Sequence, residues 1–588
     1  MSALKPTHGS RLLTPEQTRF RLWAPDADQV EVRIVDADKH QLTRCAQGWF
    51  EADVSVGAGA LYRYLINAEL EVPDPASRQQ LHGPHGPSVV VDHSAYQWTT
   101  QNWSGRPWEQ VVIYELHVGA IGGFKQVEAW LPRLHKLGIT ALELMPLNEF
   151  PGARNWGYDG VLPFAPQSSY GTPDELKHLI DSAHAQGIMV FVDVVYNHFG
   201  PDGNFLAQYA GCFFNDEIPT LWGAGIDFSR QPVRDFFIEN ALMWVHDYRI
   251  DGLRLDAVHA ISDQLFLNEL SDRLNSSIVD GRHLHLILEN EHNDAQLLEE
   301  HYTAQWNDDG HNVLHALLTD ERDSYYAEFA ANTTEKLARF LESGFVFQGE
   351  NSRHGNARGK PSGHLDANRF VLFLQNHDQI GNRALGERLI HLTGEAQLKA
   401  ATALLLLCPM VPLLFMGEEW GCTAPFLFFT DHNNELAQAV REGRRHEFRE
   451  FPAFADEAQR ERIPDPNALS SFTRSQPLEP QADNPEQQAW QGYYQRLLAL
   501  RQHFIVPRLK GARSVGVEVL ADKAVCARWR MGDGALLRID LNLSDQPCAL
   551  VAVATNAQTV FAVGAGLESL THQQLPAFSC LVTLDAPL

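Results

Sequence analysis

Between residues 111 and 501 the chain repeats one alternation eight times: a short apolar run, then a stretch whose apolar residues return every three or four positions. Short runs of this kind read as buried strands, and parallel strands need helical crossovers to rejoin their sheet. The first run covers 111–118 and is followed by helical spacing at Val127, Trp130, Leu131, Leu134 and Leu137. The second covers 139–145, and its helix opens at Thr172-Pro173-Asp174-Glu175. That opening is a capping box, in which the threonine oxygen and the glutamate three residues on satisfy free amides and proline takes the first helical position. Further strands begin near Ile188, Leu253, Leu284, Ala304, Phe370 and Pro412. Their helices are expected near 233–248, 263–274, 293–303, 313–318, 395–407 and 486–501. Because strand crossovers are right-handed, eight such units predict a (β/α)8 TIM barrel, assigned to residues 99–507. An open doubly wound sheet is the competing fold. It would carry a Gly-rich phosphate turn after a strand, and the nearest stretch, 119–123, lacks that fingerprint.

The ends follow a different rule. Short alternating runs at 18–23, 30–35 and 62–66, parted by turns such as Ala24-Pro25-Asp26-Ala27-Asp28, predict an N-terminal immunoglobulin-like β-sandwich over 1–98. Runs at 524–529, 535–541 and 579–584 predict a C-terminal β-sandwich over 508–588. Two polar excursions, 343–368 and 451–484, precede strand seven and follow strand eight; unpatterned stretches of that length are usually functional or mobile.

Charge and composition exclude several partners. Asp and Glu number 74 against 47 Lys and Arg, a net charge of −27 that repels nucleic acid. The longest apolar run, 403–416, contains Pro409 and Pro412 and falls short of the ~20 residues that cross a bilayer. Met1-Ser2-Ala3-Leu4-Lys5-Pro6 leads into polar sequence without an apolar h-region, so no signal peptide is expected. Seven scattered cysteines without a C-x-x-C pair fit a reducing, cytoplasmic compartment.

Four segments carry the chemistry: Asp193-Val194-Val195-Tyr196-Asn197-His198, Gly252-Leu253-Arg254-Leu255-Asp256, Leu286-Ile287-Leu288-Glu289 and Gln375-Asn376-His377-Asp378. Each falls at the C-terminal end of a strand, where barrels of this kind hold their active sites. A carboxylate beside such strands is costly unless it is paired or used. Arg254 and Asp256 are two apart and share a strand face, so the guanidinium is expected to keep Asp256 ionised, as a nucleophile requires. The apolar run before Glu289 is expected to keep that carboxyl protonated. One ionised and one protonated carboxyl is the pair that glycoside cleavage uses, whereas an ordinary buried ion pair is the bland alternative for Arg254 and Asp256. His198 and His377 would donate to sugar hydroxyls and Asp378 would accept from them. Trp156-Gly157-Tyr158-Asp159 would bring an aromatic face beneath a sugar ring. Asp193, His198, His283, His285 and His292 are also metal-ligand types, but no H-E-x-x-H spacing is present, and no metal or other cofactor is expected.

In their order and placement these segments resemble the signature regions of the α-amylase superfamily, glycoside hydrolase family 13. The resemblance implies that Asp256 is the nucleophile, Glu289 the general acid/base and Asp378 the third carboxylate that holds the distorted sugar. It places Arg254, His198 and His377 around the cleaved glucose and makes Tyr158 its stacking platform. Further stretches, including Glu143-Leu144-Met145-Pro146, 155–160, 251–259, 375–383, Phe415-Met416-Gly417-Glu418-Glu419-Trp420-Gly421, 426–432 and 442–445, resemble the maltooligosyltrehalose trehalohydrolase family. That family implies retaining cleavage of the α-1,4 bond next to a terminal trehalose, without a cofactor, on a maltooligosyltrehalose supplied by a synthase. Trp156, Asp159 and Glu418 join the expected substrate residues on the same ground. A glycogen branching enzyme, which transfers the glycosyl unit to a sugar 6-hydroxyl, is the alternative. A non-catalytic carbohydrate-binding scaffold would have lost a carboxylate, and Asp256, Glu289 and Asp378 are all present. Two departures from the family are the short loop Ala120-Ile121-Gly122-Gly123 and Leu288, where a small residue often precedes the acid.

Overall fold

Eight parallel strands close into a barrel: β1 (Ile113–Leu116), β2 (Ala141–Leu144), β3 (Met189–Val194), β4 (Gly252–Leu255), β5 (His285–Leu288), β6 (Ala304–Trp306), β7 (Phe370–Phe373) and β8 (Val411–Phe415). The computed structural model describes residues 7–220, 223–261, 263–279, 281–353, 355–554, 557–564 and 573–585. All eight strands are buried along their whole length, which is why they read as near-continuous apolar runs: one face fills the barrel and the other meets helices. Inside, Ile113, Met189, Phe191, Ile287, Val371 and Val411 pack as a solid core. Pairing runs in sequence order, with Asp193 beside Arg254 in the β3–β4 register, and the ring closes where Ile113 of β1 pairs with Leu413 of β8.

The helices that follow the strands are α1 (Phe124–Leu137), α2 (Pro173–Ala185), α3 (Gln231–His246), α4 (Gln264–Ser277), α5 (Ala295–Glu300), α6 (Asp308–Thr319), α7 (Glu395–Leu407) and α8 (Pro485–Leu500). Residues 124–137 form a helix because Phe124, Val127, Trp130, Leu131, Leu134 and Leu137 share one buried stripe, and Gly138, at φ 107°, ends it in the left-handed region. The capping box at α2 is formed: Thr172 N–H donates to Glu175 Oε2 at 2.9 Å and Glu175 N–H donates to Thr172 Oγ1 at 3.2 Å. Helix α6 begins five residues before the expected 313, because Asn307 caps it, its side chain accepting from Gly310 N–H at 3.0 Å.

The N-terminal region holds two antiparallel sheets. One orders Gly9–Thr14, Gln17–Trp23, Trp49–Val54 and Thr43–Arg44; the other orders Lys39–Gln41, Val30–Ile34, Leu61–Ile66 and Leu70–Val72, with Ser88–Val89 beside Leu61–Ile66. The C-terminal region is all-β, with a sheet ordered Arg513–Ala521, Ala524–Arg530, Leu536–Asn542, Ser579–Asp585 and Gln558–Val563. Its strand Ser579–Asp585 packs on α7. Among the described residues no helix is long and apolar enough to cross a membrane. Met1 to Pro6, on which the expectation of no signal peptide rests, lie outside the described residues.

Candidate active site

The strand ladders extend past the strand ends and fix the backbone of both key carboxyl residues. Asp256 N–H donates to Val194 O and Glu289 N–H to Leu255 O, each at 3.0 Å. Their side chains open on a cavity of about 570 Å³ at the C-terminal end of the barrel, which Tyr158, His198, Arg254, His377 and Asp378 also line. Trp156 and Asp159 reach the same cavity.

Arg254 organises the centre. Its guanidinium lies 4.1 Å from the ring centre of Trp306, at the end of β6. Nη1 contacts Asp193 Oδ2 at 2.7 Å and Asp256 Oδ1 at 2.9 Å, and Nη2 contacts Glu289 Oε2 at 2.8 Å. Asp256 Oδ2 accepts from Asn197 Nδ2 at 2.9 Å. Burial works against the charge of Asp256, but Arg254 and the Asn197 hydrogen bond prevail and hold its carboxyl below the ordinary range. Burial raises Glu289 well above that range against the pull of Arg254, and Asp256, Asp308 and Asp378 add to the rise.

The local chain at Glu289 assigns its proton. Ala257, at φ 40°, adopts a left-handed conformation rare for a residue with a side chain, and its N–H thereby donates to Glu289 Oε2 at 2.8 Å. With Oε2 accepting from Ala257 N–H and facing the Arg254 guanidinium at 2.8 Å, a proton on the neutral acid belongs on Oε1. One guanidinium thus spans two carboxyls whose surroundings push them in opposite directions, Asp256 below the ordinary carboxylate range and Glu289 above it.

Behind the cavity runs a chain of polar contacts that sequence reading did not assemble. His377 Nδ1 meets Glu115 Oε1 at 2.5 Å, His377 Nε2 meets Tyr158 Oη at 2.8 Å, and Tyr158 Oη donates to Asp193 Oδ2 at 2.6 Å. Burial lowers His377, but Glu115 outweighs it and holds the imidazole above its ordinary value. His198 Nε2 likewise meets Tyr158 O at 3.0 Å, and its Nδ1 meets Asn197 Oδ1. The two histidines, expected as donors to sugar, thus act here on Tyr158 and its neighbours. Tyr158 stacks on His377 with ring centres 5.1 Å apart. Burial pushes Asp193 up to about 6 against Arg254. Glu143, on β2, is raised well above the carboxylate range by burial, and neither of its oxygens has a hydrogen-bond partner among the described residues.

Glu418 does not line the cavity. Gly417, at φ 90°, turns the chain after β8, and Glu418 points away to accept from Tyr494 Oη at 2.9 Å and from Phe415 N–H at 3.3 Å. The five residues weighed as metal ligands are also separated. Asp193 and His198 belong to the cavity end, whereas His285 starts β5 at the other end, its Nε2 on Arg106 O at 2.8 Å. Among the described residues no three His, Cys, Asp or Glu side chains gather into a metal site.

The excursion before β7 forms part of the wall. Ser352, Arg353 and Arg358 line the cavity, and Arg358 is anchored by Asp309 at 2.8 Å and Glu328 at 3.3 Å. Asp308, at the first position of α6, is a further cavity carboxyl; burial and then Asp378 push it up to about 7. The signal for it was present as Asn307-Asp308-Asp309, a cap followed by two acids in the first turn.

Comparison with known proteins adds the following. Residues 101–241 match the family described as alpha amylase, catalytic domain, and residues 512–582 match a domain of unknown function. The malto-oligosyltrehalose trehalohydrolase of Deinococcus radiodurans is 40% identical over 495 residues, covering 82% of this chain and 81% of the relative. That of a Rhizobium species is 36% identical over 581 residues, covering 93% of each. The crystal structure of a putative alpha amylase from Salmonella typhimurium superposes with a TM-score of 0.93 at 40% identity, covering 99% of this chain and 100% of that one.

Proposed function

The chain belongs to the malto-oligosyltrehalose trehalohydrolases of the α-amylase superfamily, and from that premise we propose that its cavity hydrolyses the α-1,4 bond next to the terminal trehalose of a maltooligosyltrehalose. Trehalose and a shorter maltooligosaccharide are the products. The observation that carries the reading is Arg254 gripping two carboxyls in unlike surroundings, Asp256 held below the ordinary carboxylate range and Glu289 raised above it. Asp256 attacks the anomeric carbon while Glu289 passes its proton to the leaving oxygen, giving a glycosyl-enzyme ester and free trehalose. Glu289, now ionised, takes a proton from water, and the water cleaves the ester. Asp193, Tyr158 and His377 hold Arg254 and the sugar-facing wall in register. One guanidinium spanning both carboxyls favours the ~5 to 5.5 Å separation of retaining enzymes over the ~6.5 to 9.5 Å of inverting ones. The seven cysteines are unpaired, which supports a cytoplasmic setting, and a maltooligosyltrehalose synthase is the enzyme that would supply the substrate.

Incubation with maltotriosyltrehalose and with maltopentaose tests the reading. Trehalose should be released, with at least tenfold higher kcat/KM on the first substrate, and proton NMR before mutarotation should show the α-anomer of the released maltotriose. Equal rates would point to a general amylase, α-1,6 linkages formed from amylose to a branching enzyme, and an initial β-anomer would remove Asp256 as nucleophile.

A further inference from the structure

Asp308 and Asn312 lie one turn apart on α6, and both line the cavity. Residues four apart share a helix face and lie about 6 Å apart along the axis. Neither side chain has a hydrogen-bond partner among the described residues, although both sit in a wall where neighbouring groups are paired: Asp309 takes Arg358 at 2.8 Å, Asn293 Nδ2 at 3.0 Å, Val346 N–H at 2.9 Å and Phe347 N–H at 3.2 Å. Two cavity-facing polar groups without a protein partner, beside one with four, have the form of groups reserved for a ligand.

Their position around the ring says which part of a ligand. Asp308 follows β6, between Glu289 after β5 and Asp378 after β7, and it interacts with both of these carboxyls. Asp256, after β4, lies on the far side of Glu289. A group beside the acid and away from the nucleophile faces the leaving oxygen and whatever departs with it. Beyond Asn312 the wall is finished by Glu328 and Arg358, whose 3.3 Å ion pair binds the excursion to it.

We propose that Asp308 and Asn312 read the hydroxyls of the departing disaccharide, Asp308 at the glucose next to the cleaved bond and Asn312 at the glucose beyond it. The inference rests on the trehalohydrolase reading above and names the residues that make it selective. The 6 Å step between them carries the contacts from one ring towards the next. Because burial and Asp378 bring Asp308 up to about 7, its carboxyl both accepts and donates near neutrality, as a sugar hydroxyl demands. The two glucoses of trehalose are joined through both anomeric carbons, so the second ring presents its hydroxyls in a different orientation from the second ring of maltose. A buried polar group that loses its partner discriminates strongly against the wrong substrate.

The test compares Asp308→Ala and Asn312→Ala with the wild type on maltotriosyltrehalose and maltopentaose. These substrates have equal length and the same cleaved bond, so a change in Glu289 or in folding lowers both rates together and leaves their ratio alone. Each variant is expected to reduce the wild-type preference at least fivefold, mainly through loss on maltotriosyltrehalose, with unchanged thermal unfolding. A preference kept within twofold in both variants, whether the rates fall together or not at all, would overturn the proposal. A wild type with no preference would instead sink the functional reading on which it rests.

Discussion

Two aspartates flank the same strand. Asp251 directly precedes β4 and Asp256 directly follows it, yet their surroundings are opposite. Asp251 is fully enclosed: Oδ1 accepts from Trp103 Nε1 at 2.8 Å, and Oδ2 accepts from Val190 N–H at 2.9 Å and meets His184 Nε2 at 2.8 Å. Asp256 is held by Arg254 and Asn197, but its side chain keeps 13% of its surface open to the cavity. The first joins segments from 103, 184 and 190 at the base of the barrel and leaves no room for a reactant. The second is fastened on one side and free on the other, which is the condition for attack on a sugar. Four residues of strand separate a carboxyl enclosed at the base of the barrel from one open to the cavity.

The largest expected effect falls on the cavity side. Asp256→Ala and Glu289→Gln should each lower kcat by at least about a thousandfold, ~4 kcal/mol on the barrier, while calorimetric unfolding stays close to wild type. Either variant retaining more than about a tenth of wild-type turnover would show that the wrong carboxyl had been assigned. At the base, Asp251→Ala strands three donors in a dry site and should cost about 3 kcal/mol or more of unfolding free energy, measured by denaturant titration. The surviving folded protein should keep its kcat/KM within twofold; a large kinetic defect there would erase the contrast between the two ends of β4.

The smallest effect sharpens the contrast by pH. The proposed mechanism requires Asp256 ionised and Glu289 protonated, so it predicts that activity falls on the acid side as Asp256 gains its proton and on the alkaline side as Glu289 loses its own. The negative charge of Asp308 helps to raise Glu289. Asp308→Asn removes that charge, Glu289 then ionises at lower pH, and the alkaline limb of kcat/KM should move down by up to about one unit, equivalent to ~1.4 kcal/mol. An upward shift would contradict the electrostatic order of the cavity, and Asp251→Ala should move neither limb.

The barrel was legible because parallel strands buried on both faces must be apolar throughout, and all eight expected strands lie within two residues of the observed starts. Arg254 and Asp256 were legible as a pair because they share a strand face. The grip of Arg254 on Asp193 and Glu289 was not, since those contacts join neighbouring strands whose register no local pattern encodes. The tie from Glu115 to His377 spans the closed ring and was hidden for the same reason. Asp308 was missed for a local reason: the helix was read from its apolar stripe, which starts at Val313, whereas its cap and first turn begin earlier. Glu418 misled because a motif gives neighbourhood but not direction, and the left-handed Gly417 turns that side chain away from the cavity.

The pairing of Ile113 with Leu413 has a consequence for the newborn chain. About 300 residues separate the partners, so at a synthesis rate of roughly 5 to 20 residues per second β1 waits some 15 to 60 s for β8 to emerge. Throughout that interval one edge of β1 is an open, apolar strand able to pair with a neighbouring polypeptide. Glu115 lies on this strand and accepts the N–H of His377 at 2.9 Å, and its backbone oxygen accepts from Met416 N–H, just past β8, at 2.9 Å. Sealing the ring and seating the histidine therefore belong to one late step, and a ribosome that stops between residues 378 and 411 releases a chain with its cavity carboxyls synthesised but its edge still unsealed.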